Sequence, residues 1–240
     1  MTDSPYGEVH RPQFHFTART GWLNDPNGLV FHAGEYHLFF QHNPFGTTWG
    51  NMTWGHAVSP DLVHWTQLPH ALEPDALGTM YSGSAVVDWQ NTAGFQQGDT
   101  PPLVAIYTAA GDKSPESRGK PFTQCLAYSN DRGRTWTKFA GNPVLGNMTS
   151  GNRDPKVFWH APTARWVMAV VLPDAHQVLF YGSSNLRQWT ELSRFGPAGE
   201  AVGIWECPDL IEVPVEHDDG SLTGTTRWLL KVDSFSGHPG

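Results

Sequence analysis

The sequence has few charged residues and few cysteines, and each scarcity excludes a class of protein. Asp, Glu, Lys and Arg make up only 16% of the 240 residues, and the net charge of −8 comes without a basic run. We therefore expect no nucleic-acid partner. Two cysteines, Cys125 and Cys207, are too few for a disulfide scaffold and lack metal-site spacing.

Long apolar runs are also missing. No stretch approaches the ~18 residues that a membrane span needs. The N-terminal residues have neither the basic start nor the apolar centre of a signal peptide. We therefore expect a soluble, cytoplasmic protein without a membrane partner.

Glycine, proline and tryptophan are abundant instead, with 25, 19 and 11 residues. Short apolar segments rich in β-forming residues alternate with turn clusters, one of which is Asp25-Pro26-Asn27-Gly28, and no apolar stripe has helical spacing. This pattern predicts an all-β fold, with strands at 35–41, 81–88, 103–107, 166–172, 178–181 and 228–232.

A repeat predicts how these strands are grouped. Segments 59–66, 129–137 and 183–190 each run from a polar turn to a tryptophan and a threonine. Their tryptophans are 71 and 53 residues apart, which is typical of β-propeller blades. We predict that each repeat joins two strands late in a blade and that its Trp packs between blades. Blades are expected up to about residues 90, 145 and 200, with a fourth from Trp205.

Three acidic motifs carry candidate chemistry. Asp25 lies in WLNDPNG, Asp154 in NRDPK and Glu206 in WECPDL. Apolar neighbours of Glu206 would favour a protonated carboxyl, as a general acid needs, and Arg153 would hold Asp154 ionised. Each motif has a structural alternative: a turn whose Asp caps backbone groups, a surface ion pair, and an edge-strand Glu. Together they favour glycoside hydrolysis, which needs two carboxyl groups beside the scissile bond.

Six motifs in order, WLNDPNG, FFQHNP, WGHAVSPDLVHW, YSGSAVVD, RDPKVFW and WECPDL, resemble glycoside hydrolase family 32, the invertases, levanases and inulinases. The resemblance extends from about residue 10 to residue 232, and the middle stretches are most similar to exo-acting microbial fructanases. It implies a five-bladed propeller followed by a β-sandwich. Residues 1–240 would then be a partial catalytic propeller, truncated within about the fourth blade.

The resemblance also implies roles for individual residues. Asp25 matches the family's nucleophile, Glu206 its acid/base and Asp154 its transition-state stabiliser. Substrate-binding positions are matched by Trp22, Leu23, Asn24, Gln41, Trp49, Tyr81, Ser82 and Arg153.

The implied activity is retaining release of terminal fructose from sucrose or β-fructans, with no metal or organic cofactor and with a small or polymeric fructoside as the substrate; the sequence leaves the oligomeric state open. Two alternatives stay open at this point. One is an inverting glycosidase of the arabinanase type on a related propeller. The other is an inactive fragment or sugar-binding remnant.

Overall fold

The computed structural model describes residues 7–149, 151–199 and 201–235, which form strands and turns but no α-helix. Three four-stranded antiparallel sheets follow one another along the chain, and a two-stranded ribbon comes last. In each sheet the strands are neighbours in chain order, so each is an up-and-down meander of the kind that forms a propeller blade. The all-β prediction, with three full blades and part of a fourth, is confirmed.

The first sheet consists of β1 (Trp22–His32), β2 (Glu35–Asn43), β3 (Thr53–Ser59) and β4 (Thr66–Leu72). The second consists of β5 (Thr79–Val87), β6 (Leu103–Ala110), β7 (Thr123–Ser129) and β8 (Thr137–Lys138). The third consists of β9 (Arg153–His160), β10 (Arg165–Leu172), β11 (Gln177–Ser183) and β12 (Thr190–Phe195), with a 3-10 turn at Ala161–Thr163 between β9 and β10. The ribbon pairs β13 (Ile204–Glu216) with β14 (Leu222–Phe235). All six predicted strands fall on these elements. Within the described residues, no helix has the length and apolar character to cross a membrane.

The core lies between neighbouring sheets. Buried residues between the first and second sheets include Phe39, Trp54, Met80 and Tyr107. Those between the second and third include Val104, Leu126, Met168 and Leu179. The central strands β3 and β6 are buried along their whole length, because both of their faces meet other side chains. This explains why β6 has a nearly continuous apolar sequence rather than an alternating one.

The three repeated segments fold alike, and each joins the third strand of its sheet to the fourth, as predicted. In each copy the indole N–H donates to a backbone carbonyl three residues earlier, the pairs being Trp65–Leu62, Trp136–Gly133 and Trp189–Leu186. Trp136 and Trp189 pack on the cores between sheets, as expected, whereas Trp65 contacts Phe16 from the segment before β1.

Two expectations are wrong in detail. The first blade ends with β4 rather than near residue 90, because the strand that follows, β5, pairs into the second sheet. An apolar pattern marks a strand but not the sheet in which it pairs. Asp25-Pro26-Asn27-Gly28 is not a turn but the middle of β1, where the pairing with β2 shifts register twice.

The first strands of successive sheets, β1, β5, β9 and β13, lie side by side. Polar cross-links connect them: the Gly83 N–H donates to Asn27 Oδ1 at 3.1 Å, and the Val157 N–H donates to Ser84 Oγ at 2.9 Å. Gly83 has no room for a side chain, since a Cβ there would stand 2.1 Å from the carbonyl oxygen of Ile106. The four first strands thus form a common inner wall.

Candidate active site

Each of the four first strands has a pairing irregularity near its beginning. The residues within these irregularities are Asn24 and Asp25, Ser82, Asp154 and Pro155, and Cys207 and Pro208. A β-bulge bends the strand and redirects the side chain that it carries. A proline is tolerated there because no ladder hydrogen bond is required of it. The bulges therefore turn candidate site residues toward one centre.

Asp25 is held by a network of side chains. Its Oδ2 accepts a hydrogen bond from Ser82 Oγ at 2.6 Å, and its Oδ1 accepts one from Asn24 Nδ2 at 3.2 Å. Gln41 Nε2 donates to Ser82 Oγ, and the Trp22 indole N–H donates to Asn24 Oδ1. The alternative in which Asp25 merely caps the backbone of its own turn is therefore wrong. The network orients a half-buried carboxylate.

Asp154 lies in a dry environment. Its side chain is only 7% exposed, and Oδ2 accepts the Cys207 backbone N–H at 2.9 Å. Burial raises the pKa of Asp154 to about 6, although the Cys207 N–H and Arg153 act in the opposite direction. The pKa of Asp154 thus lies above its ordinary value despite Arg153, and the surface ion-pair alternative is wrong because the carboxyl group is buried. Its φ of 60° is unusual for a residue other than glycine.

Glu206 lies in a wetter place than its sequence neighbours predict. Trp205 is buried with Val171 and Val178, but alternate side chains of a strand point to opposite faces, so Glu206 faces the open side. Its carboxylate is 33% exposed, and its Oε1 lies 3.0 Å from Arg153 Nη2. The most buried of the three carboxyl groups is that of Asp154 instead.

All three carboxylates line one open cavity of about 1580 Å³. Ten of the eleven predicted site residues lie on its wall: Asp25, Asp154, Glu206, Trp22, Asn24, Gln41, Trp49, Tyr81, Ser82 and Arg153. Leu23 does not, because strand alternation turns it away from its neighbours Trp22 and Asn24. Burial raises the pKa of Tyr81 to about 12, so its phenol keeps its proton at neutral pH.

Cys207 lies between two of the three candidate carboxylates. Its Sγ lies 3.9 Å from Asp25 Oδ2, while its backbone N–H binds Asp154. Burial and the nearby carboxylates raise the pKa of the thiol, so it stays protonated. The backbone of Cys207 has a φ of 47°, which is unfavourable for a residue other than glycine, so the chain is strained directly after Glu206. The only sequence signal for Cys207 was its position next to Glu206.

Sequence reasoning missed a second part of the wall entirely. The connection between β6 and β7 contributes Gly111, Asp112, Lys113, Lys120, Pro121 and Phe122 to the cavity. These residues form no recognisable motif, so only the three-dimensional structure reveals them. Within the part of the chain that the structure describes, no three His, Cys, Asp or Glu side chains are grouped to hold a metal ion.

Comparison with known proteins identifies the family. The sequence model of the "Glycosyl hydrolases family 32 N-terminal domain" matches residues 15–236. The chain belongs to glycosyl hydrolase family 32. This membership confirms the resemblance drawn from the six motifs, and it disfavours the alternative of an arabinanase-type glycosidase.

Curated relatives include enzymes from bacteria and fungi. The levanase of Bacillus subtilis (strain 168) is 52% identical over 236 residues, covering 98% of this chain and 33% of the relative. The extracellular exo-inulinase of Aspergillus awamori is 41% identical over 256 residues, covering 98% of this chain and 46% of the relative. Thus this family 32 chain spans between a third and a half of the length of these relatives.

Solved structures of the family agree with the fold. The crystal structure of exo-inulinase from Aspergillus awamori matches with a TM-score of 0.84 at 40% identity, covering 95% of this chain and 47% of that one. The β-fructofuranosidase of Schwanniomyces occidentalis, complexed with fructosyl-erythritol, matches with a TM-score of 0.80 at 39% identity, covering 95% of this chain and 46% of that one. The predicted fructosidase-type propeller is confirmed.

Proposed function

We propose that the protein is a retaining β-fructosidase that releases terminal fructose from sucrose or β-fructans. The observation that carries the proposal is the convergence of Asp25, Asp154 and Glu206, from three different first strands, on one cavity. Relatives named levanase, exo-inulinase and invertase, and a related fructofuranosidase crystallised with fructose, support a fructoside as the substrate.

Asp25 is the proposed nucleophile. Its two oxygens are oriented by Ser82 and Asn24, which restricts the carboxylate to one direction of attack. In the first step a bond forms between an Asp25 oxygen and the anomeric carbon, and the glycosidic bond to the leaving sugar breaks. The product is a covalent fructosyl ester.

Glu206 is the proposed acid and base. Its proton passes to the departing glycosidic oxygen, so that the leaving sugar departs as a neutral alcohol. A water molecule then attacks the anomeric carbon, gives its proton to Glu206, and frees Asp25. A fructoside bound in the cavity covers the one-third of Glu206 that is exposed, which keeps water out of the first step.

Asp154 is the proposed stabiliser of the transition state. Its buried carboxylate, fixed by the Cys207 N–H, accepts hydrogen bonds from fructose hydroxyls and faces the positive charge that develops on the ring. Arg153 forms an ion pair with Glu206 and so fixes the position of the Glu206 carboxyl group relative to that of Asp154. The fructosyl unit itself is expected to bind among Asn24, Gln41, Trp49, Tyr81 and Ser82.

The stereochemistry of the released fructose tests this mechanism. The intact protein is incubated with sucrose and with a β-fructan, and the anomer first formed is followed by NMR before it equilibrates. We expect the β-anomer, because two displacements restore the starting configuration. Release of the α-anomer would overturn the double-displacement mechanism, and no release at all would overturn the enzyme assignment.

A matched pair of variants ties the activity to the site. Asp25→Asn removes the nucleophile while keeping the size of the side chain. Asp99→Asn makes the same change in an exposed loop outside the cavity. We expect the first variant to lose turnover and the second to keep it.

A further inference from the structure

The connection between β6 and β7, residues 111–122, lies on the same cavity as Asp25 but belongs to none of the proposed catalytic machinery. We propose that this segment, called the β6–β7 loop below, binds the sugar units beyond the fructosyl unit that is released. It thereby sets the preference for longer fructans over a disaccharide. This inference rests on the proposed function.

The loop is ordered before any substrate arrives. The Asp112 N–H donates to the Ser117 carbonyl at 2.8 Å, and the Gly119 N–H donates to Asp112 Oδ1 at 3.0 Å. Ser117 is fully buried beneath the loop, where its hydroxyl lies 2.9 Å from that of Ser114. A surface that is already ordered loses little conformational entropy when a ligand binds.

Phe122 is part of a group of aromatic rings on the cavity wall. Its ring meets that of Tyr81 edge-on, with the centroids 5.3 Å apart, and Tyr81 meets Trp49 edge-on at 6.0 Å. Tyr81 directly precedes Ser82, which holds Asp25. Phe122, Tyr81 and Trp49 therefore form one group of rings on the cavity wall, with Tyr81 in contact with the other two. Half-buried and on the cavity wall, it offers an apolar face to the C–H side of a sugar ring.

Two lysines supply the polar part of the surface. Lys138, Lys156 and Lys231 are each paired with an aspartate, whereas Lys113 and Lys120 form no ion pair among the described residues. Both line the cavity and are exposed. Each ammonium group has three donors, which suit the hydroxyl oxygens of a neutral sugar chain.

The β6–β7 loop and Asp25 line the same cavity. A fructoside whose terminal unit is held against Asp25 therefore has its further units within reach of the loop. The ligand class is an oligomeric or polymeric β-fructoside.

Binding and turnover of Phe122→Ala test the proposal in the intact protein. The dissociation constant is measured by titration calorimetry for sucrose and for a five-unit β-fructan, in an Asp25→Asn background that prevents hydrolysis. We expect Phe122→Ala to weaken binding of the five-unit fructan about tenfold, and that of sucrose less than twofold, since a lost aromatic contact is worth about one order of magnitude. Phe122→Tyr should restore the wild-type ratio.

Phe31→Ala is the matched control, because Phe31 also belongs to a pair of rings, with Tyr36, but lies outside the cavity. It should change neither dissociation constant. Replacement of both Lys113 and Lys120 by Gln should raise KM for the five-unit fructan and leave kcat unchanged.

The two hypotheses fail in different ways. An equal effect of Phe122→Ala on both ligands, or none on either, would overturn the role of the β6–β7 loop even if the wild-type protein releases fructose normally. Absence of fructose release by the wild-type protein would overturn the proposed function, while the binding ratio would still report on the loop.

Discussion

Asp25 and Asp154 are each followed by a proline, and each lies in the bulged first strand of its sheet, yet their carboxylates are held differently. Asp25 is half-buried and accepts hydrogen bonds from the side chains of Ser82 and Asn24. Asp154 is buried, accepts one backbone N–H from Cys207, and has its pKa raised to about 6 by burial. The same dipeptide thus provides an oriented carboxylate in one blade and a desolvated one in another.

This difference shows that the Asp-Pro dipeptide determines the local backbone geometry, whereas the neighbouring blade determines the electrostatic environment of the carboxylate. In both cases the decisive partner comes from the next first strand: Ser82 on β5 for Asp25, and Cys207 on β13 for Asp154. Ser82 is a side-chain donor that leaves Asp25 partly open to the cavity. The Cys207 segment covers Asp154 more completely. Roles cannot therefore be assigned from the Asp-Pro dipeptide alone.

The largest expected effect is that of Asp25→Asn on turnover. We expect kcat/KM for sucrose to fall by about 10⁴-fold or more, because the covalent step would lose its proposed nucleophile. The free energy of unfolding should change little, since an amide can keep most of the hydrogen bonds. Steady-state kinetics and thermal unfolding measure the two effects. Near-normal turnover by this variant would remove Asp25 from the mechanism.

Asp154→Asn should separate activity from stability. We expect kcat to fall about 10²–10³-fold, the usual cost of losing an electrostatic contact made in the transition state. The native pKa of about 6 exceeds the ordinary 3.8, so ionising Asp154 costs stability as pH rises through this window. Its removal should therefore raise the free energy of unfolding at pH 7 by up to about 3 kcal/mol.

Denaturant unfolding at pH 4 and pH 7 measures this change. The gain should disappear at pH 4, where Asp154 is protonated in the native protein. A variant that is less stable than the wild type at pH 7 would show that Asp154 contributes as a paired charge, which would contradict the comparison.

Ser82→Ala sharpens the comparison from the side of Asp25. The variant removes the 2.6 Å hydrogen bond to Asp25 Oδ2 and leaves the Gln41 amide without its acceptor. We expect kcat to fall about tenfold, in line with about 1.4 kcal/mol for one hydrogen bond to a charged group. Ser84→Ala is the control, because Ser84 lies on the same strand but binds the backbone of β9. It should affect stability more than kcat.

The smallest effect on activity is expected for a pair of buried histidines, whose titration changes stability in the same pH range as that of Asp154. His37 Nδ1 and His56 Nε2 lie 3.0 Å apart, and burial lowers their pKa values to about 4 and about 3. Between pH 6.5 and pH 4 the unfolded chain binds more protons at these sites than the native one. Stability is therefore lost as pH falls, opposite in sign to Asp154.

His56→Gln should flatten this acid slope by about 1.4 kcal/mol per pH unit. The same substitution at the exposed His64 should leave the slope unchanged. An unaltered slope in His56→Gln would mean that the buried pair does not titrate on unfolding. Unfolding measured at closely spaced pH values would distinguish these outcomes.

Much of the fold follows from the sequence. The strands, the all-β class and the three repeated turns could be predicted because apolar runs, turn residues and the Trp spacing are local features. The position of the first blade boundary could not, because β5 pairs with β6 and not with β4, and an apolar pattern does not show with which neighbour a strand pairs. The bulge in β1 could not either, since Asp-Pro-Asn-Gly is an ordinary turn sequence.

The sequence indicated which residues line the candidate site, but it indicated much less about the exposure and the contacts of their side chains. The motifs supplied Asp25, Asp154 and Glu206, but the exposure of Glu206 depends on strand alternation, and the hydrogen bond that holds Asp154 comes from Cys207 in another blade. Leu23 was included as a neighbour in the motif, although its side chain points away from the cavity. The β6–β7 loop reaches the site only through the folding of the second sheet.

Trapping the covalent intermediate tests the central claim most directly, namely that Asp25 and not Asp154 attacks the sugar. Glu206→Gln is incubated with a fructosyl donor whose leaving group needs no protonation, quenched with acid, digested and mapped by mass spectrometry. We predict a fructosyl mass increment on the peptide that contains Asp25. An increment on the peptide that contains Asp154 would contradict the account.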